Sequence, residues 1–354
     1  MSEDDDMRAF CRRIPKIELN ANLTGCLSIS TVVRLYDRHP CRENLDKYLD
    51  YFHSPKTLER YKKLYVMNDW LIGTQECITT AVCDVIKEFL DDNIFYLELR
   101  VTPQFIGSNL SKEQYIMAVI HAVRIAKAVL PQIMVKIIFS ISRTDDYTDC
   151  LDTCTLIFKY YSLNPDLIVG IQLYGNPLND NSFLNLLNLC RNYHLKIIMN
   201  CAEIPNHTET WEMIDFKPDR LTHCTCVHPA FHGADYLFQK LLKSNIPVEL
   251  CLTYNVDNNE VNSYKEHHFK YLYQRKHPIS ICTRDKGICK TTLSEEYAIA
   301  AITFNLSKQD LLHLSKLSII QAFASMEEKV ALLNIFKDFE QNELLEAKML
   351  AGDK

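Results

Sequence analysis

The sequence predicts an α/β fold, specifically a TIM-type (β/α)8 barrel, from three observations. Short strand-like runs alternate with longer helical patterns from one end of the chain to the other. Most of the short runs are apolar on both faces, as expected for parallel strands that are covered by helices. The chain has 354 residues, which suits a barrel of about 250 residues that carries insertions. Eight strands, each followed by a helix, therefore predict the barrel.

The elements follow from these patterns in chain order. The strand candidates are Ile17–Leu23, Ile94–Leu99, Val135–Ile141, Ile168–Leu173, Lys196–Asn200, Arg220–His223, Pro247–Leu252 and Ile279–Thr283. The clearest helical stretches between them are Cys77–Leu90, Lys112–Val129, Ser182–Tyr193 and Gly233–Lys243.

Two longer segments fall outside this alternation. Residues 31–74 are too many for one crossover helix, so we expect an inserted helical subdomain over the barrel mouth. Residues 294–346 have the pattern of a helical closing segment. Without an internal repeat, a low-complexity tract or a linker, one domain is the simplest interpretation. Its predicted limits are a domain at 1–354, a core at about 15–325, and tails at 1–13 and 348–354.

Composition excludes several classes of protein. A hydrophobic fraction of 47% is enough for a large core, and a net charge of -6 gives no electrostatic argument for nucleic-acid binding. No apolar run reaches the roughly 18 residues of a membrane span. The sequence identifies no protein partner and no oligomeric state.

Cysteine usage indicates the compartment. The fourteen cysteines are spread over the chain, and many lie inside apolar runs, such as Cys251 and Cys282. Reduced cysteine behaves there as a small hydrophobic residue. Residues 2–6 are acidic, unlike the basic start of a signal peptide. We therefore expect a reduced, soluble, cytoplasmic protein.

Polar clusters fall at the carboxyl ends of the predicted strands, where barrels of this type carry their chemistry. They are Asn20 with Asn22, and residues 172–177, 200–203, 222–225 and 283–285.

Five ordered motifs surround these clusters. They are Pro-Lys-Ile-Glu-Leu-Asn-Ala-Asn-Leu at 15–23, Asn-Cys-Ala-Glu-Ile-Pro-Asn at 200–206, Asp-Arg-Leu-Thr-His-Cys-Thr at 219–225, Glu-Leu-Cys-Leu-Thr-Tyr-Asn at 249–255 and Thr-Arg-Asp-Lys-Gly at 283–287. Together they resemble the adenosine deaminase superfamily. With Glu-His-His-Phe at 266–269, they are most similar to its adenosine deaminase-like branch, which deaminates N6-methyl-AMP and related N6-substituted purine nucleotides. The resemblance extends from about Pro15 to beyond Phe323.

The resemblance implies metal-assisted hydrolysis. In that family zinc lowers the pKa of a bound water, and the resulting hydroxide attacks C6 of the purine. The four protein ligands of the family fall here on Asn20, Asn22, Asn200 and Arg284. Asparagine is a poor, neutral zinc ligand, and arginine is a fixed cation that repels a dication or takes its place. We therefore expect zinc binding to be absent or weak.

The resemblance also implies roles for residues that are retained or altered. The acid/base glutamate falls on Glu203, the histidine that orients hydroxide on His223, and the second aspartate of the final motif on Asp285. The substrate positions of the family fall on Thr24, Asp69, Thr102, Ser142, Gly175 and Asp285. Asp69 would repel a phosphate. The candidate ligand is a purine nucleoside or nucleotide.

Structural interpretations compete with these roles. Glu203 either faces a ligand or forms a buried ion pair with Arg284 that replaces zinc. His223 fits a core histidine, and Asp285 fits a turn cap or an ion pair with Arg284 or Lys286.

The other metal-binding residue types receive simpler interpretations. The spacing of Cys26, Cys201, Cys224 and Cys226 matches no zinc pattern. We expect His228, His232, His267 and His268 on surface loops or helix ends.

Three functions remain open. The first is a zinc-less pseudoenzyme that keeps a modified purine pocket for binding or regulation. The second is an active deaminase of N6-substituted AMP or adenosine with rerouted metal ligands. The third is a non-catalytic interaction scaffold. The barrel alone does not separate them, because function depends on the site.

Overall fold

The computed structural model describes residues 2–38, 44–104, 110–175 and 182–352. The strands are β1 (Lys16–Asn22), β2 (Ile94–Val101), β3 (Met134–Ser142), β4 (Ile168–Tyr174), β5 (Lys196–Cys201), β6 (Arg220–His223), β7 (Val248–Leu250) and β8 (Ile279–Ile281). They form one sheet in the order β1 to β8, and all seven neighbouring pairs are parallel. A bridge between Ala21 and Arg284 joins the two ends of the sheet. The predicted TIM-type barrel is confirmed.

Helices surround this sheet. Those up to β5 are α1 (Glu3–Arg13), α2 (Ile29–Arg38), α3 (Leu45–His53), α4 (Leu58–Leu71), α5 (Gln75–Asp91), α6 (Lys112–Val129), α7 (Tyr147–Leu163) and α8 (Ser182–Asn192). The later ones are α9 (His207–Phe216), α10 (Asp235–Ser244), α11 (Leu252–Asp257), α12 (Phe269–Gln274), α13 (Lys286–Cys289), α14 (Leu293–Phe304), α15 (Lys308–Gln321) and α16 (Met326–Gly352). No helix within the described ranges is long and apolar enough to cross a membrane.

The seventh predicted strand is too long. β7 ends at Leu250, and Leu252 already begins α11. The backbone N–H of Thr253 donates to the buried carboxylate of Glu296 at 3.0 Å. This bond satisfies an amide in the first turn of α11, where a helix has no acceptor of its own.

The segments predicted as tails are helical. Residues Glu3–Arg13 form α1, which Ser2 caps and which packs against α14, where Arg8 donates to Glu295. The acidic start and the two basic residues at the end of α1 complement the helix dipole. At the other terminus α16 continues to Gly352, whereas residues 353 and 354 lie outside the described ranges.

The segment between β1 and β2 is helical and lies close to the strand ends. It contains α2, α3 and α4 before the crossover helix α5. The side-chain amide of Asn68, on α4, donates to the backbone carbonyl of Thr24 at 2.7 Å. Tyr61, on the same helix, donates to Asp285 just after β8. These contacts hold α4 against the carboxyl ends of β1 and β8.

A buried carboxylate closes the seam between the first and last strands. Glu18 accepts hydrogen bonds from the backbone N–H of Asn20 at 2.8 Å, the backbone N–H of Thr283 at 2.9 Å and the Thr283 hydroxyl at 2.8 Å. Burial raises the pKa of Glu18 to about 7, against these stabilising hydrogen bonds. Glu18 therefore substitutes for the strand pairing that the short β8 does not supply.

Replacing Glu18 with Ala should lower the free energy of unfolding by about 3 kcal/mol or more, because three buried donors lose their acceptor. Chemical denaturation monitored by circular dichroism measures this change. The exposed Asp152, on α7, provides the control, and Asp152→Ala should change stability by less than about 0.5 kcal/mol. Equal effects of the two variants would contradict the role given to Glu18.

Glu296 should make stability depend on pH. Burial raises its pKa from an ordinary 4.5 to about 7, so the folded chain binds more protons than the unfolded chain between these values. This contribution is fully present below pH 4.5 and is lost as the pH rises through 7. Glu296→Gln keeps an acceptor for Thr253 but does not titrate.

The measurement is the difference in unfolding free energy between wild type and Glu296→Gln from pH 4.5 to 8. It should shift in favour of the variant by up to about 3 kcal/mol as the pH rises. A constant difference would show that Glu296 does not titrate in this range.

Candidate active site

Arg284 enters the site because of how the barrel closes. Its backbone N–H donates to the carbonyl of Asn20 at 2.7 Å, and its carbonyl accepts from the N–H of Asn22 at 2.8 Å. Its φ of 58° lies in the left-handed region, which is unusual for a residue other than glycine. The two backbone bonds fix Arg284 beside β1, at the carboxyl end of the barrel.

The guanidinium of Arg284 is surrounded by three ionisable groups and a ring. It donates to His223 Nε2, lies 3.5 Å from Glu203 Oε1 and 3.2 Å from Asp285 Oδ2. Its carbon is 4.1 Å from the centre of the Tyr254 ring. Burial opposes the charge, but Tyr254, Asp285 and Glu203 outweigh it and hold the pKa of Arg284 well above its usual value. The site therefore contains a permanent, built-in cation.

His223 is completely buried at the end of β6 and is neutral. Its Nδ1 lies 3.1 Å from the Asn255 amide nitrogen, and its carbonyl accepts from His268 Nε2 at 2.7 Å. Burial and the neighbouring charge of Arg284 lower the pKa of His223 well below its usual value. Because Nε2 accepts from Arg284, this nitrogen carries no proton.

Glu203 is held by a chain of side-chain hydrogen bonds that begins on β3 and β4 and passes through Asn200 on β5. The Asn200 amide group lies 3.3 Å from both carboxylate oxygens of Glu203 and donates to them. The Asn200 oxygen accepts from Gln172 Nε2 at 2.7 Å, and the Gln172 oxygen accepts from the Ser140 hydroxyl at 2.9 Å. Glu203 Oε1 also lies 3.2 Å from His223 Nε2. The carboxylate is thus oriented by neutral donors and by Arg284.

Asp285 fills the space beside Gly25. A Cβ at position 25 would lie 1.8 Å from Asp285 Oδ1, so only glycine leaves room for this carboxylate. Asp285 accepts from the Asn22 amide at 2.9 Å and from the Tyr61 hydroxyl. Burial raises the pKa of Asp285, although Arg284 and these hydrogen bonds oppose the shift.

Glu260 also belongs to the site. The sequence did not indicate it, because Glu260 lies in an ordinary polar loop. It accepts from Thr225 at 3.1 Å and from the Asn255 amide at 2.6 Å. Burial and the charge of Glu203 raise its pKa to about 8. Donor atoms of Glu203, His223 and Glu260 all lie within 4.8 Å of one another, and among the described residues this is the group that could hold a metal ion.

The cysteines near the site do not join that group. Cys26 donates to the carbonyl of Arg284 at 3.3 Å, and Cys226 donates to the carbonyl of Glu203 at 3.6 Å. Burial and the neighbouring Cys201 raise the pKa of Cys224 well above its usual value. Cys251 receives the amide group of Asn20 at 3.6 Å. These thiols support the site as protonated, buried groups.

A cavity of about 240 Å³ opens above these residues, between α4 and the ends of β1, β2 and β4. Thr24, Asp69 and Thr102 line it together with Asn22 and Arg284. Burial raises the pKa of Asp69 to about 6, against hydrogen bonds from Thr24 and Gln104. The cavity thus contains three of the predicted substrate positions next to the polar cluster.

Of the other three substrate positions, Asp285 contacts Arg284 as described above, and two lie beside the cavity. Ser142 and Gly175 are outside its lining and adjacent to each other, since a Cβ on Gly175 would be 3.0 Å from Ser142 Oγ. The Tyr174 hydroxyl hydrogen-bonds with Thr102 and Ser142, so these two positions support Tyr174. Residues 176 and 177 of the predicted polar cluster lie outside the described ranges.

His267 and His268 lie at helix ends, which was one of the two expected positions, but both are buried. Their rings stack at 4.3 Å. His267 Nε2 lies 3.0 Å from the Asn255 oxygen, and His268 bonds to the backbone of His223. These two histidines form the support behind His223, and His268 also precedes α12.

A larger groove of about 850 Å³ lies on the inserted helices, lined by residues that include Tyr51, Lys62 and Val66. It is not formed by strand ends or by the polar cluster. We place the candidate site in the smaller cavity because it lies at the strand ends and Arg284, which contacts His223, Glu203 and Asp285, forms part of its wall.

Replacing Arg284 with Met should lower the free energy of unfolding by about 3–5 kcal/mol, because Glu203 and Asp285 would remain buried without their counter-charge. The exposed Arg12, on α1, gives a matched control, and Arg12→Met should cost less than about 0.5 kcal/mol. Urea denaturation compares the two. Unchanged stability in Arg284→Met would show that the cation does not balance these carboxylates.

Known proteins are similar to this chain in fold and in sequence. The adenosine deaminase domain matches residues 15–338. An N6-methyl-AMP deaminase of Danio rerio is 34% identical over 350 residues, which cover 96% of this chain and 99% of the relative. The apo N6-methyl-AMP deaminase of Arabidopsis thaliana superposes with a TM-score of 0.84 at 32% identity, covering 94% of this chain and 98% of that one. The Arabidopsis ADAL structure in complex with IMP has a TM-score of 0.83 at 32% identity, over 93% of this chain and 98% of that one. This chain therefore belongs to the adenosine deaminase family.

Proposed function

We propose that this protein is a zinc-less member of the adenosine deaminase family that binds a purine ligand without hydrolysing it. The observation that carries the proposal is the position of Arg284. Its guanidinium donates to His223 and lies beside Glu203 and Asp285, the three residues to which the family resemblance assigns proton handling. A fixed cation there lies beside the two carboxyl groups but supplies no hydroxide.

The residues at the expected ligand positions do not fit zinc. The amide group of Asn22 donates to Asp285, and that of Asn200 donates to Glu203. The Asn200 oxygen is already used by Gln172. Asn20 Oδ1 has no partner, but a single neutral amide oxygen is far from the three or four N, S or anionic O ligands of a zinc site. Arg284 adds a positive charge to the position.

The retained groups remain suitable for binding. Glu203 is a carboxylate acceptor close to the cavity, held in one orientation by Asn200. His223 is neutral, and its Nε2 is occupied by Arg284, so it is not free to orient an attacking water. The relatives are named as deaminases of N6-methyl-AMP, and an Arabidopsis member was obtained with IMP. These names support a purine as the ligand of this chain.

The proposal includes a cytoplasmic location. It is supported by thirteen described cysteines that are unpaired, most of them buried, a usage typical of reducing compartments.

One observation favours a second candidate, an active deaminase with rerouted metal ligands. Glu203, His223 and Glu260 offer one imidazole and two carboxylates within 4.8 Å, a ligand set that zinc accepts. Arg284 would first have to leave His223 Nε2, because the same lone pair cannot serve the metal and the guanidinium. This requirement makes the second candidate the weaker one.

Metal content is the deciding measurement. The untagged protein, produced with zinc supplied, should contain far less than one zinc per chain by mass spectrometry and should not convert adenosine or N6-methyl-AMP. The zebrafish relative, prepared in parallel, is the positive control. The variant Asn20→His/Asn22→His/Asn200→His/Arg284→Asp restores the expected ligand types and should gain near-stoichiometric zinc.

Stoichiometric zinc together with turnover in the wild type would overturn the proposal. In that case Glu260→Gln distinguishes the ligand sets, since it should remove zinc only if the rerouted set holds the metal. Absence of zinc together with no thermal shift by any purine would instead favour the scaffold function.

A further inference from the structure

The cavity contains a buried acid that is not paired with a cation. Asp69 lies on α4, and its side chain accepts hydrogen bonds from Thr24 and Gln104, which are both neutral. Among the described residues, no Lys, Arg or His forms an ion pair with it. An unpaired carboxylate in a partly desolvated cavity seeks a hydrogen-bond donor or a positive charge. A ligand is the available source of one.

The cations that line the cavity are already neutralised. Arg100 is fully buried, where it pairs with Glu249 and donates to the carbonyl of Leu19 at 3.1 Å. Arg284 is held by His223 and its two carboxylate neighbours. In the sequence, residues 105–109 and 176–181, which follow the lining residues Gln104 and Tyr174, contain no Lys, Arg or His.

The charge around the cavity is therefore negative. Asp69 lines the cavity, and Arg284, which also lines it, is shared between Glu203 and Asp285. A phosphate adds up to two negative charges and would need cationic or amide donors of its own. Among the described lining residues, none supplies a free positive charge for it.

The rest of the lining suits a flat, uncharged, polar molecule. Tyr61, Tyr65, Tyr115 and Tyr174 surround the space, and aromatic rings of this kind stack on heterocycles. Its volume of about 240 Å³ lies below the roughly 300–1,000 Å³ of pockets for drug-sized ligands. The space favours a base or a nucleoside over the larger monophosphate.

We propose that the cavity selects unphosphorylated purine nucleosides over their monophosphates, with Asp69 as the residue that sets this specificity. The inference rests on the proposed purine-binding function and deepens it. Asp69 accepts a hydroxyl or amino hydrogen of the nucleoside, and the same carboxylate repels a phosphate in its place. The ligand class therefore differs from the nucleotides in the names of the relatives.

Titration calorimetry with matched pairs tests this selectivity. The pairs are adenosine with AMP, inosine with IMP, and N6-methyladenosine with N6-methyl-AMP. The nucleoside of at least one pair should bind the wild-type protein at least tenfold more tightly than its monophosphate. Asp69→Asn keeps the shape and the hydrogen-bonding capacity but removes the charge, and it should reduce that ratio at least threefold.

The exposed Asp152 provides the control, because Asp152→Asn lies away from the cavity on α7 and should leave the ratio unchanged. Thermal unfolding of each variant confirms that it is folded. Binding without a tenfold preference for the nucleoside in any of the three pairs overturns the inference and leaves purine binding intact. An unchanged ratio in Asp69→Asn overturns the role of Asp69. No binding by either class overturns both the inference and the proposed purine binding.

Discussion

The positive charge of Arg284 is the constraint around which the site is arranged. Its backbone bonds Asn20 and Asn22 across the closing seam, and its side chain turns to His223 and two carboxylates. A left-handed conformation at this residue is what allows both. Arg284 therefore contributes both to barrel closure and to charge balance. Any divalent cation in the same place would compete with a covalently attached positive charge.

This arrangement gives a physical reason for the two acids that does not depend on a metal. Glu203 and Asp285 form the counter-charge of a buried arginine, and His223 offers it a lone pair. Gly25 leaves room for Asp285, and Asn200 replaces a metal contact with an amide that orients Glu203. Retained acid/base residues are thus compatible with a site that performs no hydrolysis, because the electrostatic role is sufficient to keep them in place.

The barrel was predictable from sequence, whereas the site was predictable only in part. Short runs that are apolar on both faces indicated all eight strands. β7 is shorter than predicted because Glu296, distant in sequence, caps the helix that follows it. The acidic start of α1 resembled a tail, since a short amphipathic helix at a chain end depends on packing against α14. Strand-end motifs located Glu203, His223 and Asp285. Glu260, His267 and His268 were missed as site residues because their importance arises from loops that fold back over β6, which no local pattern reveals.

Charge balance deeper in the barrel explains how the site was free to change. Below Arg284, the buried Arg220 pairs with Glu98 and Glu249, and Arg100 pairs with Glu249 as well. This lower layer contains two positive and two negative side chains and needs no metal. Glu18 closes the seam independently through Thr283. These ion pairs and hydrogen bonds stabilise the fold below the cavity. Substitutions at the upper rim of the cavity therefore change the ligand that it binds without removing the interactions that stabilise the barrel. Under the proposed function, the cavity with Arg284 and Asp69 at its wall is then an altered binding site on an intact scaffold.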